Sequence, residues 1–339
     1  MRSGSKNVLI YGAYGNGNIG DQFQASSVEH HIRTLAPEID VYATSNSSSQ
    51  KQYEFSSQDH VLSADAIYDA DQINRFDALV IGGGGLLASV HRPLQSADWV
   101  AKIRVPIILL GLGASQEVVG KCRALVEAAS VVTGRDTYSC ESLGEVRQDV
   151  ELLNDPILMD ARLDHLPSRA PDEIARLGVV PRKQTGRYEK VFRHLAEQIK
   201  RRDRVISMFP ATDRASGALE TLASARIIET RLMSEFAEAI DDCTGVVSAR
   251  FHGCILALKR SRPCIGTINN LDELKSKVAE LFKQVGHAHL LVNFNDTPLG
   301  RNHIAQKLAS EYDHDLVRRS IALMRMDFDA KLTRILSTL

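Results

Sequence analysis

Aromatic side chains make up only 6% of this 339-residue chain, and there is a single tryptophan. So small a supply argues against a surface on which nucleic-acid bases would stack. An excess of one charge is lacking too. Lys and Arg number 41 against 42 Asp and Glu, a formal charge of -1, so no overall field draws nucleic acid or anionic lipid. The five cysteines, at 122, 140, 243, 254 and 264, form no C-x-x-C pair. Odd in number and scattered, they point to reduced thiols in a cytoplasmic protein rather than a disulfide frame or a zinc site. No run approaches about 18 apolar residues, which excludes a transmembrane helix. The opening Met1-Arg2-Ser3-Gly4-Ser5-Lys6 is too short and too polar for a signal peptide. No clustered His or carboxylate pattern suggests a metal, and none is expected.

What is present is ordinary soluble composition, 44% hydrophobic and 24% charged, in a chain long enough for about two domains. Short apolar runs recur between helical stretches: residues 7–12, 38–44, 78–81, 106–110, 130–133 and 150–153, then 204–209, 245–249, 263–268 and 289–294. Runs of that length read as strands of parallel sheets buried on both faces. Helices are expected at about 22–35, 117–129, 226–240, 252–260 and 271–286. Leu316, Ile321, Leu323, Met324, Phe328, Leu332 and Ile335 repeat at helical spacing and predict a packed C-terminal helix over about 314–338. The stretch 161–188 carries three prolines and scattered charge and reads as a connection. The expected architecture is therefore α/β: two Rossmann-like lobes facing across a central cleft, residues 1–160 and 189–339.

The chemistry concentrates in Ser248-Ala249-Arg250-Phe251-His252-Gly253, between a strand and a helix. That edge of an open α/β sheet is where ligands bind, and a helix start offers free N–H groups to an anion. Arg250 adds a planar fork of donors. His252 adds a side chain that can give or take a proton near neutral pH. The bland reading stays open beside this one: Arg250 in an ion pair and His252 packed at a helix start.

Glycine-rich loops follow two N-terminal strands. Gly15-Asn16-Gly17-Asn18-Ile19-Gly20 fits G-x-G-x-x-G, but Asp21 would put a carboxylate beside any pyrophosphate, and the second strand ends without the ribose-binding acid. A loop carrying Asn16, Asn18 and Asp21 suits sugar hydroxyls better; equally, its glycines could serve only a tight turn and Asp21 the helix dipole. In Gly82-Gly83-Gly84-Gly85, Gly83 and Gly84 would let backbone approach a ligand or a neighbouring helix. The remaining histidines lie where solvation or packing explains them.

Four stretches taken in order resemble the polysaccharide pyruvyl transferase family: Gly17-Asn18-Ile19-Gly20-Asp21; Gly82-Gly83-Gly84-Gly85-Leu86-Leu87; Gly134-Arg135-Asp136 with Ser139; and the turn at 248–253. The resemblance implies a GT-B-like fold and transfer of a pyruvyl group from phosphoenolpyruvate to a pair of hydroxyls on a polysaccharide or lipid-linked oligosaccharide, forming a ketal. It implies donor binding by Arg135, Arg250 and the R-x-H turn that includes Phe251, with His252 as acid. It implies no cofactor beyond the donor, and a cytoplasmic enzyme with peripheral association at the inner membrane face. One departure stands out. Such enzymes often carry G-I-x-Y-D-x-K after the next strand; here Gly266-Thr267-Ile268-Asn269-Asn270-Leu271-Asp272 puts an acid where the lysine belongs. Lys275 is the nearest substitute, with Lys277 beyond it.

Phosphoenolpyruvate accepts a hydroxyl at C2 only after its methylene carbon takes a proton. A suitable site needs cations for phosphate and carboxylate, an acid near the methylene and a base near the sugar hydroxyl. Arg135 and Arg250 fit the first need, His252 the second, and Asp21 is the candidate base. Two rivals remain: a GT-B-like glycosyltransferase using a nucleotide sugar, and a glycan- or anion-binding relative without catalysis.

Overall fold

The computed structural model describes residues 5–45, 58–87, 93–164, 174–182, 195–268, 277–293 and 300–339. Thirteen strands are found among them, all parallel to their neighbours and divided between two sheets. The chain separates into two compact units: residues 1–16, Asp21–Asp160 and Met324–Leu339 in one, Gly17–Gly20 and Ala161–Leu323 in the other.

The first unit holds β1 (Lys6–Tyr11), β2 (Ile39–Ser45), β3 (Val61–Ser63), β4 (Ala78–Gly82), β5 (Ile107–Leu112), β6 (Val131–Gly134) and β7 (Glu151–Leu152). Their order is β3-β2-β1-β4-β5-β6-β7. Every residue of β4 and β5 is buried, because helices cover both faces. Leu9, Leu79, Ile81, Leu109 and Val132 share one core. Strand order reverses between β1 and β4, and at such a switch point the loops diverge and leave a crevice at the strand C-termini. Residues 12–16 and Gly83-Gly84-Gly85 are the loops that leave those two strands.

The second unit holds β8 (Leu177–Val180), β9 (Arg204–Ser207), β10 (Arg226–Glu229), β11 (Gly245–Ser248), β12 (Cys264–Ile268) and β13 (Leu291–Asn293), in the order β10-β9-β8-β11-β12-β13. Here the reversal falls between β8 and β11, and β11 runs straight into the helix Phe251–Lys259. The 248–253 turn therefore lies at this sheet's own switch point. At the opposite strand ends, the fully buried Asp203 accepts from Arg301 Nε at 3.0 Å and Nη2 at 2.8 Å, and from the amides of Leu177 and Lys200.

Several expectations need correction. The 161–188 stretch is not only a connection, since it contributes β8, a central strand. A four-residue run with an internal glycine and a proline just after it gives too weak a pattern to read. The helix expected over 226–240 is an edge strand, β10, followed by a helix at Met233–Asp241. The β-branched pair Ile227-Ile228 decides for strand. The helix Arg301–Glu311 was not anticipated. The C-terminal helix spans His314–Leu336, and its last part packs with the first unit rather than the second. Phe328 rests on His31, Lys331 Nζ donates to the Leu152 carbonyl, and Arg334 pairs with Glu151. Residues 46–57, rich in Ser and Gln, and the region of Lys275 lie outside the described residues. Among the described residues no helix is long and apolar enough to cross a membrane. All five cysteines are free, and burial pushes Cys122 and Cys140 up to about 11 and Cys243 to about 12, which leaves these thiols unreactive.

The buried histidines give the fold a pH limit. His31 bonds through Nε2 to the Pro156 carbonyl, and His287 accepts from the Asp313 amide at 2.8 Å. Burial holds both below the ordinary value of 6.5. Folding thus favours their neutral forms, and that stability is present above about pH 6.5 and is lost as pH falls below it. Asp203 behaves differently. Burial opposes its ionisation, but Arg301 and the two amides outweigh burial and hold it below 3.8, so its stability is lost only in stronger acid. Melting temperature should be level from pH 8 to 7 and decline between about pH 6.5 and 5, before the carboxylates protonate. A flat profile down to pH 4.5 would contradict the histidine account.

Candidate functional site

In the second unit, β11 ends at Ser248, whose hydroxyl donates to the Arg250 carbonyl at 2.8 Å and accepts from the Arg250 amide at 3.1 Å. This local ring fixes the turn before the helix begins. Gly253 is required beneath it, because a Cβ there would come 2.4 Å from Ser248 Oγ and 2.9 Å from Val180. Arg250, its side chain 13% exposed, reaches across the switch point: Nε donates to the Pro181 carbonyl at 2.7 Å, and Nη2 donates to Asp213 Oδ1. Asp213 is fully buried, and its Oδ2 accepts from Ser207 Oγ at 2.7 Å. The guanidinium also lies over Phe209, 6.0 Å from the ring centre. An ion pair is therefore part of the answer for Arg250. The pair orients the planar fork, and Nη1 is the group left to point elsewhere.

His252, 6% exposed, occupies the first turn of the same helix. Gly20 lies against it so closely that a Cβ would stand 2.0 Å from Nδ1 and 2.9 Å from the histidine's own Cβ. The Gly17–Gly20 segment is held there by the Ile19 amide, which donates to the Met208 carbonyl at 3.0 Å. Gly17, at φ +88°, faces Phe209. Asn18 Oδ1 accepts from the Gly20 amide at 3.2 Å, so this asparagine shapes the turn. Phe251 flanks His252, with ring centres 5.4 Å apart, and carries the Lys277 ammonium 5.3 Å from its own ring centre. Lys277 is thus a described lysine beside the R-x-H turn, and Lys275 lies outside the described residues.

In the first unit, Asn16 Nδ2 donates to Asp21 Oδ2 at 3.0 Å, and Asp21 Oδ1 lies 3.9 Å from where a Cβ on Gly84 would be. Asn16, Asp21 and Gly84 therefore come together at the switch point. Gly83 and Gly84 both have positive φ, +73° and +92°, which accounts for glycine. Gly83 leaves room for Gln24, whose amide donates to both oxygens of Asp155 at 2.9 Å. Arg135 is deeper than expected. Its side chain is 3% exposed, between Asp136 at 3.5 Å and Asp155 at 3.6 Å, and pressed on Gly113. Ser139 Oγ accepts from the Ala114 amide at 3.0 Å. The R-D-x-x-S stretch thus braces the glycine loops within its own unit. Tyr14 is 1% exposed and donates to the Gly82 carbonyl at 2.6 Å, so it packs inward and does not line a groove.

Sequence reading missed Asp213, Ser207, Asp155 and Gln24. Asp213 had a findable signal. Like Arg250, it lies within a turn of a helix start just past a strand, in Ser207-Met208-Phe209-Pro210-Ala211-Thr212-Asp213. Gln24 and Asp155 had none, since their contact joins positions 131 residues apart.

Two parallel sheets, one with glycine-rich loops and the other with the Arg-x-His turn at its switch point, define a GT-B-like α/β protein. Solved structures agree on the fold. Anabaena Alr3699/HepE in complex with UDP and glucose superposes with TM-score 0.60 at 10% identity over 98% of this chain and 99% of that one. The UDP-GlcNAc 2-epimerase of Methanocaldococcus jannaschii gives 0.57 at 11% over 98% and 100%, and S. aureus MnaA with UDP gives 0.59 at 9% over 93% and 90%. No curated sequence matches the chain. The family model for polysaccharide pyruvyl transferase matches residues 18–271, and the chain belongs to that family.

Two substitutions test this geometry. Gly20→Ala should gain about 1 kcal/mol of helix propensity and lose about 1–3 kcal/mol to overpacking against His252. Net destabilisation and a shifted His252 imidazole NMR signal are expected, and an unchanged signal would refute the close approach. Asp213→Ala strands Arg250 beside a buried cavity and should cost about 3–5 kcal/mol by chemical denaturation; a loss under 1 kcal/mol would mean the pair is not buried as described.

Proposed function

We propose that this transferase moves a pyruvyl group from phosphoenolpyruvate to two hydroxyls of one sugar in a polysaccharide or lipid-linked oligosaccharide. The observation that carries the reading is the 248–253 turn, with an oriented guanidinium and an imidazole two residues apart at one helix start. Arg250 Nη1 and the helix amides meet the donor's anionic groups. Lys277 adds positive charge beside them, in place of the lysine missing at Asp272.

His252, as imidazolium, gives its proton to the methylene carbon, which becomes the methyl group. Positive charge develops at C2, and the first sugar hydroxyl bonds there while losing its proton. Asp21 is the proposed base for that proton. The C2–O bond to phosphate then breaks and the second hydroxyl closes the ketal. Of the two hydroxyl protons, one restores His252 and one leaves with phosphate. Arg135 is proposed to act on the donor or, from its buried position, through the glycine loops it braces. The reaction calls for no further cofactor. A lipid-linked acceptor would bring the enzyme to the inner face of the membrane from the cytoplasm.

A second reading, a transferase or epimerase acting on a nucleotide sugar, is favoured by fold neighbours whose structures contain UDP. The two part in a phosphate-release assay with phosphoenolpyruvate and β-galactoside or β-mannoside acceptors. Wild type should release phosphate only when both substrates are present, and His252→Ala should lower turnover by about 10²–10⁴ while remaining folded by circular dichroism. Turnover of a UDP-sugar instead, or near-normal turnover by His252→Ala, would overturn the reading.

A further inference from the structure

The first unit also carries a groove of about 900 Å³, lined among others by Tyr68, Asp69, Ser96, Asp98, Trp99 and Lys102. Its volume is within the about 300–1,000 Å³ usual for small-molecule sites. Trp99 is buried, its indole N–H satisfied by the Ile67 carbonyl at 2.7 Å, and serves as rigid apolar lining. Tyr68 is the opposite case. It is 62% exposed, an unusual position for a large ring in a chain so poor in aromatics.

The charges in the groove select against ionic ligands. Asp69 caps the Gln72 amide at 3.1 Å, Asp71 stands 3.7 Å from Arg104, and Asp98 and Lys102 lie in the first turn and at the end of the helix Ala97–Lys102. Three carboxylates beside two cations repel a phosphate or uronate without offering a concentrated cation site. They suit hydroxyls, which donate to carboxylates and accept from ammonium or guanidinium. An exposed ring beside such groups suits the apolar face of a sugar, because aromatic side chains give broad contact at little entropic cost.

We infer that the Tyr68–Trp99 groove is a separate saccharide-binding site, taking uncharged sugar residues of the acceptor polysaccharide. The inference rests on the polysaccharide-acceptor reading above, but its test does not need turnover. Trp99 is the chain's one tryptophan, so intrinsic fluorescence reports on the groove directly. Wild type is titrated with neutral β-galacto- and β-manno-hexasaccharides, their disaccharides, and a uronate hexasaccharide. A saturable change is expected with at least one neutral hexasaccharide, weaker with its disaccharide and absent with the uronate. Tyr68→Ala, an exposed substitution that should leave melting temperature unchanged, should weaken that binding about tenfold, and Asp98→Asn should weaken it less. No change with any neutral hexasaccharide, stronger binding of the uronate, or undiminished binding by Tyr68→Ala would overturn the site. Should phosphoenolpyruvate turnover fail while this binding holds, the donor reading falls and the groove stands.

Discussion

The candidate site depends on the anchoring of one guanidinium. Arg250 leaves β11 where strand order reverses and is tied by Nε to the carbonyl that follows β8 and by Nη2 to a buried carboxylate that follows β9. Three neighbouring strand ends therefore fix one planar group. A free arginine on a surface turn would lose rotamer entropy on meeting a ligand; this one has already lost it during folding. The buried partner has a second effect. Asp213 neutralises much of the charge that the fork would otherwise offer, so the proposed anion binding relies on geometry, on the helix N–H groups and on Lys277 more than on net charge.

Close backbone approach is the other constraint. Gly20 and Gly253 exclude side chains from the two sides of the turn, one against His252 and one against Ser248. In the first unit Gly83 and Gly113 do the same for Gln24 and Arg135. These glycines make room for polar side chains to enter the strand ends, so the loops that resembled phosphate cradles act in large part as packing surfaces for the groups that brace them.

Much of this was legible in the sequence. The buried strands β4, β5 and β11 announce themselves as unbroken apolar runs, and the Arg-x-His spacing marks a strand-to-helix edge. What was not legible had weak local signal or long-range cause. β8 is four residues with a glycine inside, and only its pairing with β9 and β11 makes it central. Nothing local in Gly-Arg-Asp marks Arg135 as buried, yet Asp155, twenty residues on, draws it inward. Asp213 and Arg250 are 37 residues apart, and their pairing is a property of strand order, which no local pattern encodes. The terminal helix was readable as a helix, but the unit it joins was not, since Phe328 could have met either core.

The central claim is that the oriented fork of Arg250 is a receptor for phosphoenolpyruvate, and a lysine there would keep the charge and lose the fork. Calorimetric titration of phosphoenolpyruvate into wild type and into Arg250→Lys is the most direct measurement. The account predicts saturable one-to-one binding by wild type, weakened about tenfold or more in the variant. Equal binding by both proteins, or binding of UDP but not of phosphoenolpyruvate, would contradict it.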